Sequence, residues 1–258
     1  MPCTSHSSLL PPILLTSSII ISDHSVALKS KEDRIRYTLE SISQWLKLSP
    51  NFKLVICDGS NFDFSKIVHE QFPNAQIECL FFQNDAEKTR KQGKGYGEGE
   101  IINYALHHST YLQESDFFAK CTGRLWVENF FECLKFWNGR FLCKGYFSNV
   151  LSLKKTQFSY VDTRFYLANR AFYLEHFSSE YLRVGGDGGL SIEDCFREVL
   201  LKKNMTSVLL SIKPVICGVS GANGTYYKKN TLRRALTENL RLQILKRHGA
   251  FKQLFEVN

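Results

Sequence analysis

The sequence predicts an α/β protein in which a mostly parallel sheet is flanked by helices. Short apolar runs alternate with helix-like runs through the first half of the chain, and this alternation favours a parallel, doubly wound sheet. Polar segments that contain glycine or serine follow several of the predicted strands. The chain has 258 residues, 43% of them hydrophobic, which is enough for one large domain with its own core.

The first half of the chain supplies most of the elements of this sheet. Residues 34–48 carry apolar side chains such as Ile35 and Leu39 at helical spacing, and a proline follows them. The predicted elements of this half are strands at 13–22, 52–57, 76–82 and 117–121 and helices at 34–48, 64–72 and 98–112.

A glycine-rich segment precedes the helix predicted at 98–112. Its four glycines lie within seven residues and are Gly93, Gly95, Gly97 and Gly99. Closely spaced glycines let the backbone approach a ligand, and the start of the following helix offers free N–H groups to an anion. The segment therefore predicts a phosphate-bearing ligand.

The second half of the chain is less regular. Its predicted elements are a helix at 130–137, strand-like pieces at 141–153 and 160–167, a glycine loop at 185–189, a helix at 192–203, a strand at 207–215, a small-residue loop at 218–229 and a final helix at 231–248.

Composition limits the function classes without choosing one. The formal charge is +8 and the pI is about 9.0, which suits nucleic acid, anionic membranes or phosphorylated small molecules equally. The eight cysteines contain no CxxC pair and mostly lie in apolar runs, which is typical of reduced, buried thiols in a cytoplasmic protein. The apolar stretch near the N-terminus is too short for a membrane span and lacks the basic flank of a signal peptide.

Polar side chains follow three of the predicted parallel strands. They occur in Ser22-Asp23-His24, Asp58-Gly59-Ser60 and Cys121-Thr122-Gly123-Arg124. In open α/β sheets, ligands bind beyond the carboxyl ends of the strands, so these three segments should meet at one site.

The order of these motifs resembles GT-A-type glycosyltransferases. Residues 95–124 also resemble bacterial lipopolysaccharide and capsule transferases that carry a GYGEG…TGR signature, and the later Glu193-Asp194 pair matches the acidic motif that activates the acceptor. The resemblance implies a GT-A-like, Rossmann-like fold with a tail at 1–12, a nucleotide-binding half at 13–125, an acceptor half at 126–230 and a C-terminal helix at 231–258. It also implies a nucleotide-sugar donor, and a saccharide or lipid-linked saccharide acceptor in surface polysaccharide or lipopolysaccharide synthesis.

The chain departs from the family pattern at the metal-binding DxD motif. The corresponding residues are Lys120-Cys121-Thr122-Gly123-Arg124, which contain no carboxylate. Two alternatives stay open. Either Asp116 or Asp162 provides the carboxylate and the cofactor is Mn²⁺ or Mg²⁺, or the enzyme needs no metal and basic side chains neutralise the leaving phosphate. The histidines show no zinc-ligand spacing.

The resemblance and the chemistry of sugar transfer together select the candidate site residues. The candidate general base is Asp194, with Glu193 second, and both could instead stabilise the start of a helix. The candidate donor-binding residues are Asp23, Asp58, Lys94, Gly95, Arg124, Lys228 and Lys229, and the candidate acceptor-binding residues are Asp162 and Asp187. Turn chemistry at Asp58 and a local ion pair between Asp162 and Arg164 are the competing interpretations.

The final helix predicts a possible contact with a membrane. Its basic residues surround leucines and are Arg233, Arg234, Arg241, Lys246, Arg247 and Lys252. Such a helix can rest on the anionic inner face of the cell membrane, or it can pack with a solvated basic face. The rival function is a nucleic-acid-binding or nucleotide-binding protein without glycosyl transfer, but no nucleic-acid-binding motif occurs and nucleic acid is not expected as a partner.

Overall fold

The computed structural model describes residues 10–21, 27–152, 155–185, 189–221, 224–227 and 232–255, with side chains in the last range from residue 236 onward. Within these ranges the strands are β1 (Ile13–Ser17), β2 (Leu54–Asp58), β3 (Ile77–Phe81), β4 (Phe117–Thr122), β5 (Leu125–Val127), β6 (Phe141–Ser148), β7 (Gln157–Asn169), β8 (Ile216–Val219) and β9 (Tyr226–Tyr227). The α-helices are α1 (Lys31–Leu48), α2 (Ser65–Gln71), α3 (Ala86–Gln92), α4 (Lys94–His108), α5 (Thr110–Gln113), α6 (Phe130–Leu134), α7 (Arg170–His176), α8 (Ile192–Lys202) and α9 (Leu232–Arg247). Two 3₁₀ turns cover Glu180–Arg183 and Lys252–Leu254.

The main sheet has six strands in the order β3-β2-β1-β4-β7-β6. Its first four strands are parallel, whereas β7 is antiparallel to β4 and to β6. The predicted α/β class with a mostly parallel sheet is therefore confirmed. The register places Ser17 beside Asp58 and Thr16 beside Thr122, so the ends of β1, β2 and β4 form one edge, as predicted.

Alternate side chains of the central strands enter two different cores. On one face, Leu14 and Phe118 pack with apolar side chains of α4 and α8. On the other face, Ile13 and Leu15 pack with α1, including the fully buried Trp45. Because β1 is buried on both faces, its continuous apolar run follows from its central position in a parallel sheet.

Helix α1 begins three residues earlier than predicted because the local sequence supplies a cap. The Ser30 hydroxyl accepts from the Asp33 N–H at 3.1 Å, and Glu32 adds an acidic side chain to the first turn. The helix ends at Leu48, just before Ser49 and Pro50.

The glycine-rich segment is part of helix α4 and not a loop, which corrects the prediction. Of the four glycines in this segment, Gly93, which precedes the helix, is the one with a positive φ, at 89°. A Cβ on Gly99 would lie 2.1 Å from the Tyr181 Cβ, and one on Gly97 would lie 2.9 Å from the Asn84 side chain. Gly97 and Gly99 therefore allow close packing of α4 against the protein itself. The phosphate-bearing ligand predicted for this segment stays a prediction.

The prediction of a strand at 207–215 is wrong. The N–H groups of Val208 and Leu209 both donate to the Leu254 carbonyl, and the Leu210 N–H donates to the Cys143 carbonyl. These bonds reach two different elements, so they do not form a ladder, and Pro214 has no N–H to donate. The strand begins only at Ile216, where β8 joins β5 and β9 in a three-stranded antiparallel sheet.

The single helix predicted at 98–112 is divided into two helices, α4 and α5. Helix α4 ends at His108, and Ser109 then caps the short helix α5 by accepting from the Leu112 N–H. The final helix is present as α9. Within the ranges that the structure describes, no helix is both long enough and apolar enough to cross a lipid bilayer.

Candidate functional site

Asp58 lies at the carboxyl end of β2, where the sequence places it. Its side chain is fully buried and accepts from the Ile19 N–H at 3.0 Å, the Phe62 N–H at 3.2 Å, and both the N–H and the hydroxyl of Ser60 at 2.8 and 2.6 Å. The carboxylate thus joins the segments that follow β1 and β2. Turn chemistry accounts for these contacts, and the predicted role of Asp58 in donor binding stays a prediction.

Arg124 follows β4 at the same edge and is only 6% exposed. Its guanidinium packs on Gly221, where a Cβ would lie 2.2 Å from Nη2. Among the described residues, the buried Arg124 Nε has no hydrogen-bond partner. Burial lowers the pKa of Arg124, while the charges of Glu98 and Asp58 oppose this shift.

Arg34 of α1 is a neighbour of Arg124 that the sequence predictions missed. It is 5% exposed, and it donates from Nε to the Ser18 carbonyl at 2.7 Å and from Nη1 to the Leu28 carbonyl at 2.8 Å. Burial and the positive charge of Arg124 lower the pKa of Arg34 to about 9. Across the described ranges, neither arginine forms an ion pair with a carboxylate.

A signal for Arg34 does exist in the sequence. The buried positions of α1 follow the helical period and are Arg34, Thr38, Ser41, Ile42 and Trp45. A charged residue in such a buried stripe indicates a specific role, because arginine is rarely buried without one.

Lys120 is a fully buried charge in the middle of β4. Its Nζ donates to the Glu98 Oε1 at 2.5 Å, to the Thr163 carbonyl at 2.8 Å and to the Thr122 hydroxyl at 3.4 Å. It also lies 5.9 Å from the centre of the Tyr166 ring. Three acceptors match the three donors of an ammonium group, so Lys120 is satisfied inside the protein.

Glu98 of α4 connects this buried lysine to the surface. Its Oε1 also accepts from the Thr16 hydroxyl at 3.0 Å, and its side chain is 24% exposed. Burial disfavours the charged form, but the charge and hydrogen bond of Lys120, with the Thr16 hydroxyl, outweigh it and lower the pKa of Glu98. Glu98 is therefore ionised at neutral pH. Its neighbours give it a fixed position at the edge of the sheet.

Asp162 and Arg164 form a second ion pair on β7. The guanidinium binds both carboxylate oxygens, with Nε–Oδ1 and Nη2–Oδ2 distances of 2.8 and 2.6 Å, and Nη2 also donates to the Tyr146 hydroxyl. Burial disfavours the charge of Arg164, but the pairing with Asp162 outweighs it and raises the pKa of Arg164. This is the local pair named above as the competing interpretation of Asp162. The predicted contact of Asp162 with an acceptor stays a prediction.

The two candidate bases at the start of α8 have different surroundings. Asp194 forms a capping box with Ser191, whose hydroxyl donates to Oδ2 at 2.7 Å, and Asp194 Oδ1 lies 3.2 Å from the Arg197 guanidinium. Glu193 instead accepts from the Thr163 hydroxyl at 3.3 Å. Because the Thr163 carbonyl is bound to Lys120, Glu193 is the one of the two that adjoins the charged cluster at the sheet edge.

The remaining predicted site residues fall into two groups. Lys94 is exposed at the first position of α4, and Gly95 faces α8, where a Cβ would lie 3.1 Å from the Ile192 Cβ. Gly95 thus has a packing role. Asp23, Asp187, Lys228 and Lys229 lie outside the described residues.

The carboxylates of the described chain do not fit a divalent metal. Within the described ranges, no group of three or more histidine, cysteine, aspartate or glutamate residues could hold such an ion. The Asp58 carboxylate already accepts hydrogen bonds from backbone N–H groups of the segments after β1 and β2. The Asp162 carboxylate is paired with Arg164, and the Glu98 Oε1 is paired with Lys120. Mn²⁺ and Mg²⁺ need several free oxygen ligands, and these side chains do not provide them.

Comparison with known proteins gives weak structural likenesses only. No family model matches the chain, and no curated protein matches it. Similar solved structures include the bifunctional glycosyltransferase WbbM (10% identity, TM-score 0.43), the galactosyltransferase LgtC solved with donor and acceptor sugar analogues (11%, 0.44) and the inositol-1-phosphate CTP transferase of T. maritima (12%, 0.48).

The extent of these matches differs. They cover 77%, 73% and 92% of this chain and 38%, 70% and 97% of WbbM, LgtC and the CTP transferase, respectively. The chain therefore spans well under half of the length of WbbM. At these identities and TM-scores the likenesses establish neither a family nor an activity for this chain.

Proposed function

We propose that this protein is a glycosyltransferase that moves a sugar from a nucleotide-sugar donor to a saccharide acceptor in surface polysaccharide or lipopolysaccharide synthesis. One observation carries the proposal. At the carboxyl edge of the parallel strands lie two buried arginines that form no ion pair with a described carboxylate, beside an ionised glutamate that is partly exposed. Such an edge offers cations to a phosphate and a carboxylate to sugar hydroxyls.

The leaving phosphate in this proposal is stabilised by fixed cations. Negative charge develops on the phosphate as the glycosidic bond of the donor breaks, and preorganised positive groups lower the barrier to that step. Arg124 and Arg34 are held in place by packing and backbone contacts, so little reorganisation accompanies the charge. Metal-independent transfer is part of this proposal, with the two arginines in the place of a metal ion.

Glu193 is the general base in this proposal, in place of Asp194. The acceptor hydroxyl must lose a proton to a positioned carboxylate if the reaction inverts configuration. Asp194 is engaged by its own helix cap and by Arg197, whereas within the described ranges Glu193 accepts only from the Thr163 hydroxyl. Glu98 is the weaker choice because its lowered pKa makes it a poor proton acceptor.

A pair of substitutions tests this assignment. We expect Glu193→Gln to reduce sugar transfer at least a hundredfold with unchanged donor affinity, since general-base catalysis contributes on the order of 10²–10⁴. Asp194→Asn serves as the matched control and should retain transfer while lowering thermal stability. Full transfer by the Glu193 variant would exclude it as the base.

The exposed side chains of helix α9 support the part of the proposal in which the enzyme meets a lipid-linked acceptor at an anionic membrane. Leu236 and Leu240 are one turn apart and are 70% and 60% exposed, and Arg247 on the same helix is exposed as well. Exposed leucines beside basic residues can enter a lipid headgroup layer. Flotation with phosphatidylglycerol vesicles tests this, and binding that survives Leu236→Ser/Leu240→Ser would count against it.

The decisive experiment for the proposed function is a thermal-shift panel of UDP-, GDP-, CMP- and dTDP-sugars, each with Mn²⁺ and with EDTA. We expect one nucleotide to stabilise the protein in EDTA. Product analysis then separates the possible reactions. Sugar transfer from a nucleotide sugar frees a nucleotide, whereas nucleotidyl transfer starts from a nucleoside triphosphate and a sugar phosphate and frees pyrophosphate. Stabilisation by none of the nucleotides would rule out a nucleotide-sugar enzyme, and salt-sensitive binding of oligonucleotides would favour the rival nucleic-acid function.

A further inference from the structure

A cleft separate from the candidate site lies between α4, the end of β3 and the segment that runs from α7 into the 3₁₀ turn after it. Its volume is about 570 Å³, which is in the range of small-molecule sites. Its lining includes none of the residues that the proposed function uses. We propose that this α4 cleft binds a protonated primary amine on an apolar carbon skeleton, an interaction that does not depend on the proposed function.

Helix α4 directs Glu100 into this cleft and away from the edge of the sheet. Glu100 lies two positions after Glu98, and two positions along a helix rotate a side chain by about 200°. Since Glu98 binds Lys120 of the central strand β4, Glu100 lies on the opposite side of the helix. Gly99, between the two glutamates, has no side chain, so Tyr181 packs directly on α4 and forms a wall of the cleft.

The amide and imidazole groups of the cleft offer hydrogen-bond acceptors. Asn103 donates from Nδ2 to the Ser178 carbonyl at 2.8 Å, and its buried Oδ1 has no donor among the described residues. His107 and His108 each donate from Nδ1 to the carbonyl four residues earlier, at 2.7 and 2.8 Å, because a carbonyl can only accept. In the neutral rings Nε2 is then an acceptor. These groups favour a ligand that is rich in donors.

The charge of the cleft favours a cation, although the chain as a whole is basic. Glu100 lines it, whereas none of its described lining residues is a lysine or an arginine. Lys88 acts on Glu100 from α3, but its Nζ is paired with Asp85 Oδ2 at 3.2 Å. The negative end of the α4 dipole lies at His108, at the end of the cleft. Burial raises the pKa of Glu100, so a bound cation would favour its ionised form.

A column of three parallel rings supplies the apolar part of the cleft. The ring centres of Phe82 and Tyr104 are 4.3 Å apart, and those of Tyr104 and His108 are 4.0 Å apart. The two end rings each keep one face outside the stack, and aromatic faces attract cations as well as apolar carbons. Within the described ranges no group of three or more potential ligands could hold a metal ion. An ammonium group, with three donors and no acceptor, is therefore the cation that fits.

Ligand-observed NMR titration of the full chain with benzylammonium and with its neutral analogue benzyl alcohol tests the α4 cleft. We expect benzylammonium to bind more tightly, and Glu100→Gln to weaken its binding about tenfold, as for a lost hydrogen bond to a charged group. Phe82→Leu keeps an apolar side chain but removes the ring, and should weaken binding about threefold. Glu87→Gln is the matched control, because Glu87 is exposed on α3 outside the cleft, and it should leave binding unchanged.

The same titrations show what would overturn the amine site. Equal affinities for benzylammonium and benzyl alcohol would do so, as would equal binding of benzylammonium by the Glu100 and Glu87 variants. If Glu100→Gln does not fold, unchanged binding by Phe82→Leu would overturn the site instead. Nα-acetyl-lysine methylamide, titrated in parallel, presents the same ammonium on a lysine side chain. We expect it to bind more weakly than the ring-bearing amine, which assigns the site to a free amine; tighter binding would assign it to a lysine of a partner protein.

Discussion

Lys120 and Asp162 are buried charges on neighbouring strands of the same sheet, but their ion pairs are arranged in opposite ways. In the Glu98–Lys120 pair the cation is fully buried and the carboxylate side chain is 24% exposed. In the Asp162–Arg164 pair the carboxylate is 3% exposed and the guanidinium 31%. In each pair, the buried residue thus holds the charged group of its more exposed partner in place. The sheet edge therefore presents a carboxylate from α4 and a cation from β7.

The two exposed partners also differ in what remains available to a ligand. The described contacts of Glu98 all involve Oε1, so Oε2 can accept from a sugar hydroxyl. Arg164 uses both Nε and Nη2 for Asp162, and its Cζ lies 5.0 Å from the centre of the Tyr227 ring. The carboxylate of the first pair therefore keeps one oxygen outside its described hydrogen bonds, whereas the guanidinium of the second pair is engaged through two of its nitrogens.

Substitution of Lys120 should have the largest effect on stability. Lys120→Met keeps the shape of the side chain but leaves Glu98 and the Thr163 carbonyl without their donor. We expect the free energy of unfolding to fall by about 3 kcal/mol, the lower end for a broken buried pair, because Glu98 is partly exposed. Urea denaturation measures this change. Adding Glu98→Gln should recover about half of it, and a double variant no more stable than the single one would show that the ion pair is not the cause.

Substitution of Asp162 should cost less, which sharpens the contrast between the pairs. In Asp162→Asn the amide oxygen still accepts from Arg164, and the partly exposed guanidinium gains water. We expect a loss of about 1–2 kcal/mol in the same urea experiment, typical of a hydrogen bond to a charged group. Arg36→Gln breaks only an exposed pair with Asp33 and should change stability by less than about 0.5 kcal/mol. An equal loss of stability in Asp162→Asn and Lys120→Met would show that the two ion pairs do not differ in their contribution to folding.

The sequence was sufficient to predict the sheet because its signals are local. The alternation of apolar runs and amphipathic helices predicts the fold class, and the polar residues after β1, β2 and β4 predict the edge of the sheet where the candidate site lies. The capping box of Ser191 and Asp194 is also local and could have been recognised from their spacing of three residues.

The pairing of charges could not be predicted in the same way. Lys120 lies in an apolar strand run, and its partner Glu98 is 22 residues away on a helix. Thr163, which links this pair to Glu193, is 43 residues from Lys120. Such contacts depend on how the elements pack. The glycines of α4 were misinterpreted for the same reason, since the residues they accommodate, such as Tyr181, are distant in sequence.

The smallest effect should appear in the pH dependence of stability. The pKa of Glu98 is lowered in the folded protein from its usual value of 4.5, so the unfolded chain binds more protons at mildly acidic pH. The stabilisation is therefore complete above about pH 4.5 and is lost as the pH falls through the lowered pKa. We expect the difference in unfolding free energy between the native chain and Glu98→Gln to shrink over that window. A difference that stays constant with pH would mean that Lys120 does not favour the ionised form of Glu98, and the contrast with Asp162 would then rest on burial alone.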